Sequence, residues 1–142
     1  MVPRLSNRAA SRQQRIQKLT DLWSNLIDLK YAGEKLWDQA DSFYLSAFAT
    51  QLQATSIAVE KSSIFLREED RMRLNEILAR FRNFDVGKQR LIDLRLTGVG
   101  SEATAELIRQ IIVGNRTNRL AYSDLMDSLQ SYFSEEIRRL SN

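Results

Sequence analysis

The chain has 142 residues, 43% hydrophobic and 27% charged, with a formal net charge of +3, five glycines, one proline and neither cysteine nor histidine. That is one domain's length of chain, with enough apolar content for its own core. The missing side chains exclude histidine acid–base catalysis, thiol chemistry, disulfides and zinc sites built on Cys or His, no cofactor is implied, and a cytoplasmic location is the default expectation.

The first twenty residues contain Arg4, Arg8, Arg12, Arg15 and Lys18 and no acid, which leaves 16 basic against 18 acidic groups for the remainder. The basicity therefore belongs to one arm. At about 100° per residue these five positions fall within a sector of roughly 120°, so a helical arm presents a basic stripe to nucleic-acid phosphate or an anionic membrane surface. A solvated, disordered terminus explains the same composition, and residues 1–14 are read as a basic N-terminal arm on a single domain spanning 1–142. An Arg-rich, acid-free start also fits a mitochondrial presequence. A basic start ahead of a coiled seam is, in addition, what a juxtamembrane cytoplasmic segment presents.

From Leu19 to Ile57 the positions Leu19, Leu22, Leu26, Leu29, Gly33, Leu36, Ala40, Phe43, Ala47, Thr50, Ala54 and Ile57 alternate by three and four, which is an a/d heptad seam. Ile16, Trp23, Trp37, Tyr44, Ala58 and Phe65 widen it to the face of a globular bundle, with both tryptophans in the core. The stretch Ser42 to Val59 carries no charge, yet its serines, threonines and glutamines make it a soluble helix rather than a membrane span.

Gly33 leaves two readings open. Lys30 before it and Glu34 after it suit a helix end and a helix start, and so a turn with four helices; heptad continuity instead carries the first helix straight through. In the straight reading the residues before Gly33 protrude by about 30 Å. Ile16, Leu19, Trp23 and Leu26 are then bare and form a partner surface.

A turn is expected near Ser62 to Arg67, followed by a helix that Glu68, Glu69 and Asp70 favour at its N-terminal end. Leu74, Ile77, Leu78, Phe81, Phe84, Leu91, Ile92 and Leu96 keep one face to about Thr97. Gly98 and Gly100 end it, and Ser101 caps the last helix. That helix runs in one angular phase from Leu107, Ile108, Ile111 and Ile112 to about Leu140, with Gly114 and Asn115 as a candidate kink. Gly87, Gly114, Ser46 and Ala47 align at about one level, implying close helix contact or a pocket flanked by Asp85, Lys88, Asn115 and Gln51.

The pattern implies an all-α antiparallel helical bundle of three to four long helices with coiled-coil-like packing. Catalytic signatures are missing: there is no P-loop, no dinucleotide glycine fingerprint and no nucleophile elbow. Di-iron ligation lacks its histidines. The carboxylate groupings Glu34, Asp38 and Asp41, Asp124 with Asp127, and Glu102 with Glu106 are what solvent-facing helices contain. The expectation is a non-catalytic interaction module, an adaptor, scaffold or oligomerising subunit. It binds a protein partner or itself through Ile16, Leu19, Trp23 and Leu26, and no small-molecule substrate is inferred. The alternatives are a nucleic-acid-associated protein or a membrane-surface module, both acting through Arg4, Arg8, Arg12, Arg15 and Lys18.

Overall fold

A computed structural model describes the backbone of residues 3–97 and 100–142, with side chains from residue 8 onward within those ranges. Four helices follow one another: α1 (Pro3–Asp38), α2 (Ser42–Lys61), α3 (Glu68–Leu96) and α4 (Glu102–Ser141), with a 3-10 turn (Ser63–Phe65) ahead of α3. They form an all-helical bundle in which each packs on the next and α1 closes against α4. Short connections make sequence neighbours antiparallel.

Gly33 lies inside α1, so the reading of a turn there is corrected. A Cβ at this position would sit 3.2 Å from the Tyr122 hydroxyl and 3.3 Å from the Phe48 ring. The glycine serves a close helix approach instead. The chain reverses at Gln39–Asp41, where no Gly or Pro marks the sequence. Asp41 adopts an extended backbone and its carboxylate accepts from the Tyr44 N–H at 2.9 Å, capping α2.

That reversal corrects the continuous seam as well. Beyond it the expected positions Phe43, Ala47, Thr50, Ala54 and Ile57 are exposed, while Phe48, Leu52, Thr55 and Val59 face the core. A new helix takes its phase from the surface it folds back on, not from the heptad of the helix before it. The predicted 30 Å protrusion is absent because α2 returns along α1, with the Thr55 hydroxyl 3.5 Å from the Asn25 carbonyl.

The centre of the bundle is aromatic. The Phe81 and Tyr122 rings stack at 4.3 Å between centroids, and Phe84 meets Phe48 and Tyr122 edge-on at 5.6 and 5.5 Å, arrangements that the ring quadrupole favours. The α3 and α4 starts follow the sequence reading. Glu68, Glu69 and Asp70 occupy the first turn of α3, the Arg67 N–H donates to Asp70 at 2.8 Å, and the Ser101 hydroxyl accepts from the Thr104 N–H at 3.1 Å. Helix α4 passes Gly114 and Asn115 without interruption. Of the small-residue level expected there, only Gly87 makes the close contact, since a Cβ on it would fall 2.3 Å from Asn115 Oδ1. Gly114 faces open space, and Ser46 and Ala47 are exposed.

Candidate functional site

The partner surface expected on α1 is corrected first. Leu19 and Leu26 have no exposure at all, and Ile16 and Trp23 are half-buried. The cause is the reversal at residues 39–41, which lays α2 over the seam that a straight helix would have left bare.

The basic stripe is dispersed by the same packing. The Arg4 side chain lies outside the described residues. Arg8 and Arg12 are exposed, and Lys18 is half-buried with its ammonium 5.7 Å over the Phe65 ring. Arg15 is only 8% exposed and is withdrawn from any solvent-facing role. Its guanidinium donates to Asp70 at 2.7 Å, to Glu136 at 2.8 Å and to the Phe65 carbonyl at 2.8 Å, joining α1 to the starts and ends of three other segments.

This network pairs its charges with one another and leaves one buried donor, Arg15 Nε, without a partner among the described residues. Asp70, fully buried, also accepts from the Tyr132 hydroxyl at 2.6 Å, and Glu136 accepts from Arg139 and lies 3.6 Å from Arg67. Burial alone would raise the Asp70 pKa, but the bonds from Arg15, Tyr132 and the Arg67 amide outweigh it and hold the carboxyl below its usual range. Glu136 is lowered to about 2, chiefly by its bond from Arg139 and despite partial burial. Burial pulls Arg15 down, and its two carboxylate partners more than restore it. No proton changes hands near neutral pH in such an arrangement, so its role is to fix geometry. The sequence spacing, 55 and 121 residues apart, offers no local signal for it.

A second polar group surrounds Trp37 at the opposite end of α1. The Lys88 ammonium lies 4.5 Å and the Arg119 guanidinium 5.1 Å from the Trp37 ring centroid. Arg119 also pairs with Glu34 at 2.7 Å. Lys88 is buried and has no ion pair among the described residues. Burial lowers its pKa to about 8, with Arg95 and Arg119 adding to the shift and Asp38 opposing it. Of the two readings for the level of Asp85, Lys88, Asn115 and Gln51, close helix contact holds at Gly87 and the alternative of a pocket does not: Asn115 fills the space against Gly87 and donates to the Phe84 carbonyl at 3.3 Å.

Above this level the bundle changes cross-section. Helix α1 ends one residue after Trp37, whereas α3 continues eight residues past Lys88 and α4 begins thirteen residues before Asn115. At 1.5 Å per residue these extensions reach about 12 and 20 Å. Ile108 stands seven and fourteen residues before Asn115 and Tyr122, and Ile112 fourteen and twenty-one before Met126 and Phe133, all four of them buried. The core stripe of α4 thus continues along a hairpin that has α3 beside it and neither α1 nor α2 opposite. Leu91 and Ile92 are still covered, but Leu94, Leu107, Ile108, Ile111 and Ile112 are half-buried and Leu96 is 74% exposed.

In the sequence this apolar extension has the pattern of core, since its periodicity is that of the buried part of α4. Only the lengths of the four helices distinguish the two, and those depend on the unmarked turn at residues 39–41. The remaining concavities are open: a groove of about 290 Å³ between α1 and α2, for example, is lined by Tyr31, Lys35, Phe43 and Tyr44. Among the described residues no cluster of three or more carboxylates could hold a metal ion, and no helix is long and apolar enough to cross a membrane. No protein-family model matches this chain, and neither a curated protein nor a solved structure matches it significantly.

Proposed function

We propose that this protein is a non-catalytic helical interaction module, an adaptor, scaffold or oligomerising subunit, that binds through the apolar extension of the α3–α4 hairpin. The observation that carries this reading is the half-burial of Ile108 and Ile112 at core-phase positions beyond the end of α1, with no helix opposite among the described residues. A two-helix hairpin covers only one side of each helix, and exposed contiguous apolar surface marks an interaction site. This surface on α3 and α4 replaces the α1 seam, whose leucines the bundle uses itself.

The double substitution Ile108→Ser/Ile112→Ser tests the reading. An interaction face is either covered in solution, giving a molar mass above the 16.4 kDa of one chain, or open, giving fluorescence enhancement of an apolar dye. The double variant should lose whichever signal the native chain shows, with unchanged far-ultraviolet circular dichroism. A native chain of monomer mass that leaves the dye dark would sink the proposal.

A further inference from the structure

We infer that the groove between α1 and the C-terminal end of α2 is a binding site for a small phosphate monoester. The concavity measures about 390 Å³ and is lined by Lys18, Asp21, Ser24 and Asn25 of α1 and by Lys61 and Ser62 at the end of α2. The reversal at Gln39–Asp41 creates it: Lys18 precedes Ala40 by 22 residues and Lys61 follows it by 21, so antiparallel packing brings the two lysines to one level. The groove lies about 28 Å along α1 from Trp37, where the α3–α4 extension begins. It stands or falls independently of that face.

Two ammonium groups therefore line one groove, and neither has an ion-pair partner among the described residues. Asp21, three residues from Lys18 on the same helix, instead accepts from the Gln17 amide at 2.9 Å. Lys61 by itself is explained by the last turn of α2, whose free carbonyls favour a cation. Lys18 stands in the middle of α1, where no such field acts, and its ammonium is 5.7 Å from the Phe65 ring centroid, near the outer limit of a cation–π contact. Like charges on facing walls repel, and an anion between them turns repulsion into attraction.

A buried hydroxyl without a partner points to the same occupant. Ser62 is only 6% exposed, and although it stands at the start of the 3-10 turn its side chain makes no capping bond. Its oxygen is not sealed from solvent, so it opens into the groove it lines. Near neutral pH a phosphate monoester carries close to two negative charges and three acceptor oxygens, which suit two ammonium groups and the hydroxyl donors of Ser24 and Ser62. A carboxylate offers less charge and fewer acceptors. The Asp21 oxygen not taken by Gln17 repels a second anion but accepts from an alcohol, so the ester of a hydroxylated carbon skeleton is the class selected, with Leu22 and Ala58 as the apolar part of the lining. The volume lies within the roughly 300–1,000 Å³ of small-molecule sites.

The experiment is a titration of the isotope-labelled full chain with glycerol phosphate, read from backbone amide chemical shifts. For about ten non-hydrogen atoms held at an open groove, a dissociation constant of about 0.1–1 mM is expected. Shifts should centre on residues 18–25 and 58–62. Lys61→Gln, at an exposed position, should weaken binding by about tenfold and Lys61→Arg should retain it, while Ser62→Ala should weaken it by roughly threefold with an unchanged melting temperature. Shifts centred on Arg8 and Arg12, or no saturation by about 10 mM, overturn the inference. Equal binding of sulfate, with indifference to Lys61→Gln and Ser62→Ala, means an adventitious ion only and overturns it too. Vesicles of phosphatidylcholine with phosphatidic acid separate the two sources of such a group. Capture by them that Lys61→Gln abolishes identifies a lipid headgroup, whereas saturation by glycerol phosphate without capture identifies a soluble ester, and either upholds the site.

Discussion

Arg15 and Asp70 meet at 2.7 Å in a site where the carboxylate has no solvent exposure, so the last turn of the basic arm is tied to the first turn of α3. The pair is satisfied on all sides that matter to Asp70, which takes hydrogen bonds from Arg15, Tyr132 and the Arg67 amide. Removing one partner strands the others. Asp70→Ala takes the acceptor from the Tyr132 hydroxyl and the Arg67 amide and one of three from the Arg15 guanidinium, which keeps Glu136 and the Phe65 carbonyl, and should cost about 3 kcal/mol of unfolding free energy. Glu69→Ala, which breaks an exposed pair with Arg73, should cost under about 0.5 kcal/mol. Chemical denaturation of the two variants compares them directly, and equal losses would mean the network contributes nothing specific.

Acid should weaken the fold through the same groups. Glu136 falls from an ordinary 4.5 to about 2 in the folded chain, and Asp70 is also held below its ordinary value. For a carboxyl with a depressed folded pKa, the stabilisation is complete above the unfolded value and is lost as pH falls through the folded one. Stability should therefore decline from about pH 4.5 towards pH 2. Glu136→Gln should flatten that decline at the expense of stability at neutral pH. Thermal melts at half-unit intervals of pH read both effects.

The fold class was legible because helical period and capping chemistry are local. Glu68 to Asp70 and Ser101 fall within a turn of the helix starts they specify, and they are where the sequence put them. The reversal at Gln39–Asp41 was not legible, since Asp41 is a cap without a glycine or proline beside it and the heptad runs on through it by coincidence. One missed turn had two consequences for function. It made Leu19 and Leu26 look available when α2 covers them, and it hid the fact that α3 and α4 outrun their partners. The Arg15 network was out of reach for a different reason: its members are brought together only by tertiary packing.

Lys88 should give the stability curve an alkaline shoulder. A base whose folded pKa lies below its unfolded value is held in its disfavoured charged form at neutral pH. The lowering from 10.5 to about 8, caused first by burial and then by Arg95 and Arg119, means that the folded chain sheds this proton earlier. The unfolded state then binds more protons between about pH 8 and 10.5, and stability rises with pH across that window. Lys88→Met keeps the stem over Trp37 and removes the charge. It should raise stability at pH 7 by about 1 kcal/mol or more and abolish the rise between pH 8 and 9.5. A variant less stable than the native chain at pH 7 would show that the ammonium's contact with the Trp37 and Phe84 rings outweighs its burial.

Gly87 tests how closely α3 and α4 depend on one another. A helix interior ordinarily gains about 1 kcal/mol when Gly becomes Ala. Here the new methyl would lie 2.3 to 2.6 Å from three atoms of the Asn115 amide, which must move and give up its bond to the Phe84 carbonyl. Overpacking and a stranded buried amide together outweigh the propensity, so Gly87→Ala should destabilise by about 1–3 kcal/mol. The double variant Gly87→Ala/Asn115→Ala removes the obstacle and should recover part of the loss. A double-mutant cycle measures the coupling, and simple additivity would contradict the contact.

The basic arm has a quantitative limit as a nucleic-acid contact. Of its five cations Arg15 is committed to Asp70 and Glu136, Lys18 is half-buried on Phe65, and Arg8 and Arg12 are exposed. Each phosphate neutralised by a cation releases counterion and contributes about −0.9 to the slope of log affinity against log salt, so Arg8 and Arg12 together account for a slope of about −1.8. Slopes of that size accompany weak, non-specific binding. Titration of duplex DNA at two or more salt concentrations should give a slope no steeper than about −3 once Arg4 is counted, and Arg8→Glu/Arg12→Glu should remove most of it without altering helicity. A slope near −5 would require Arg15 and Lys18 to leave the bundle and join the contact, with the Asp70 site opening as they do, and the melting temperature would then fall on DNA binding instead of rising.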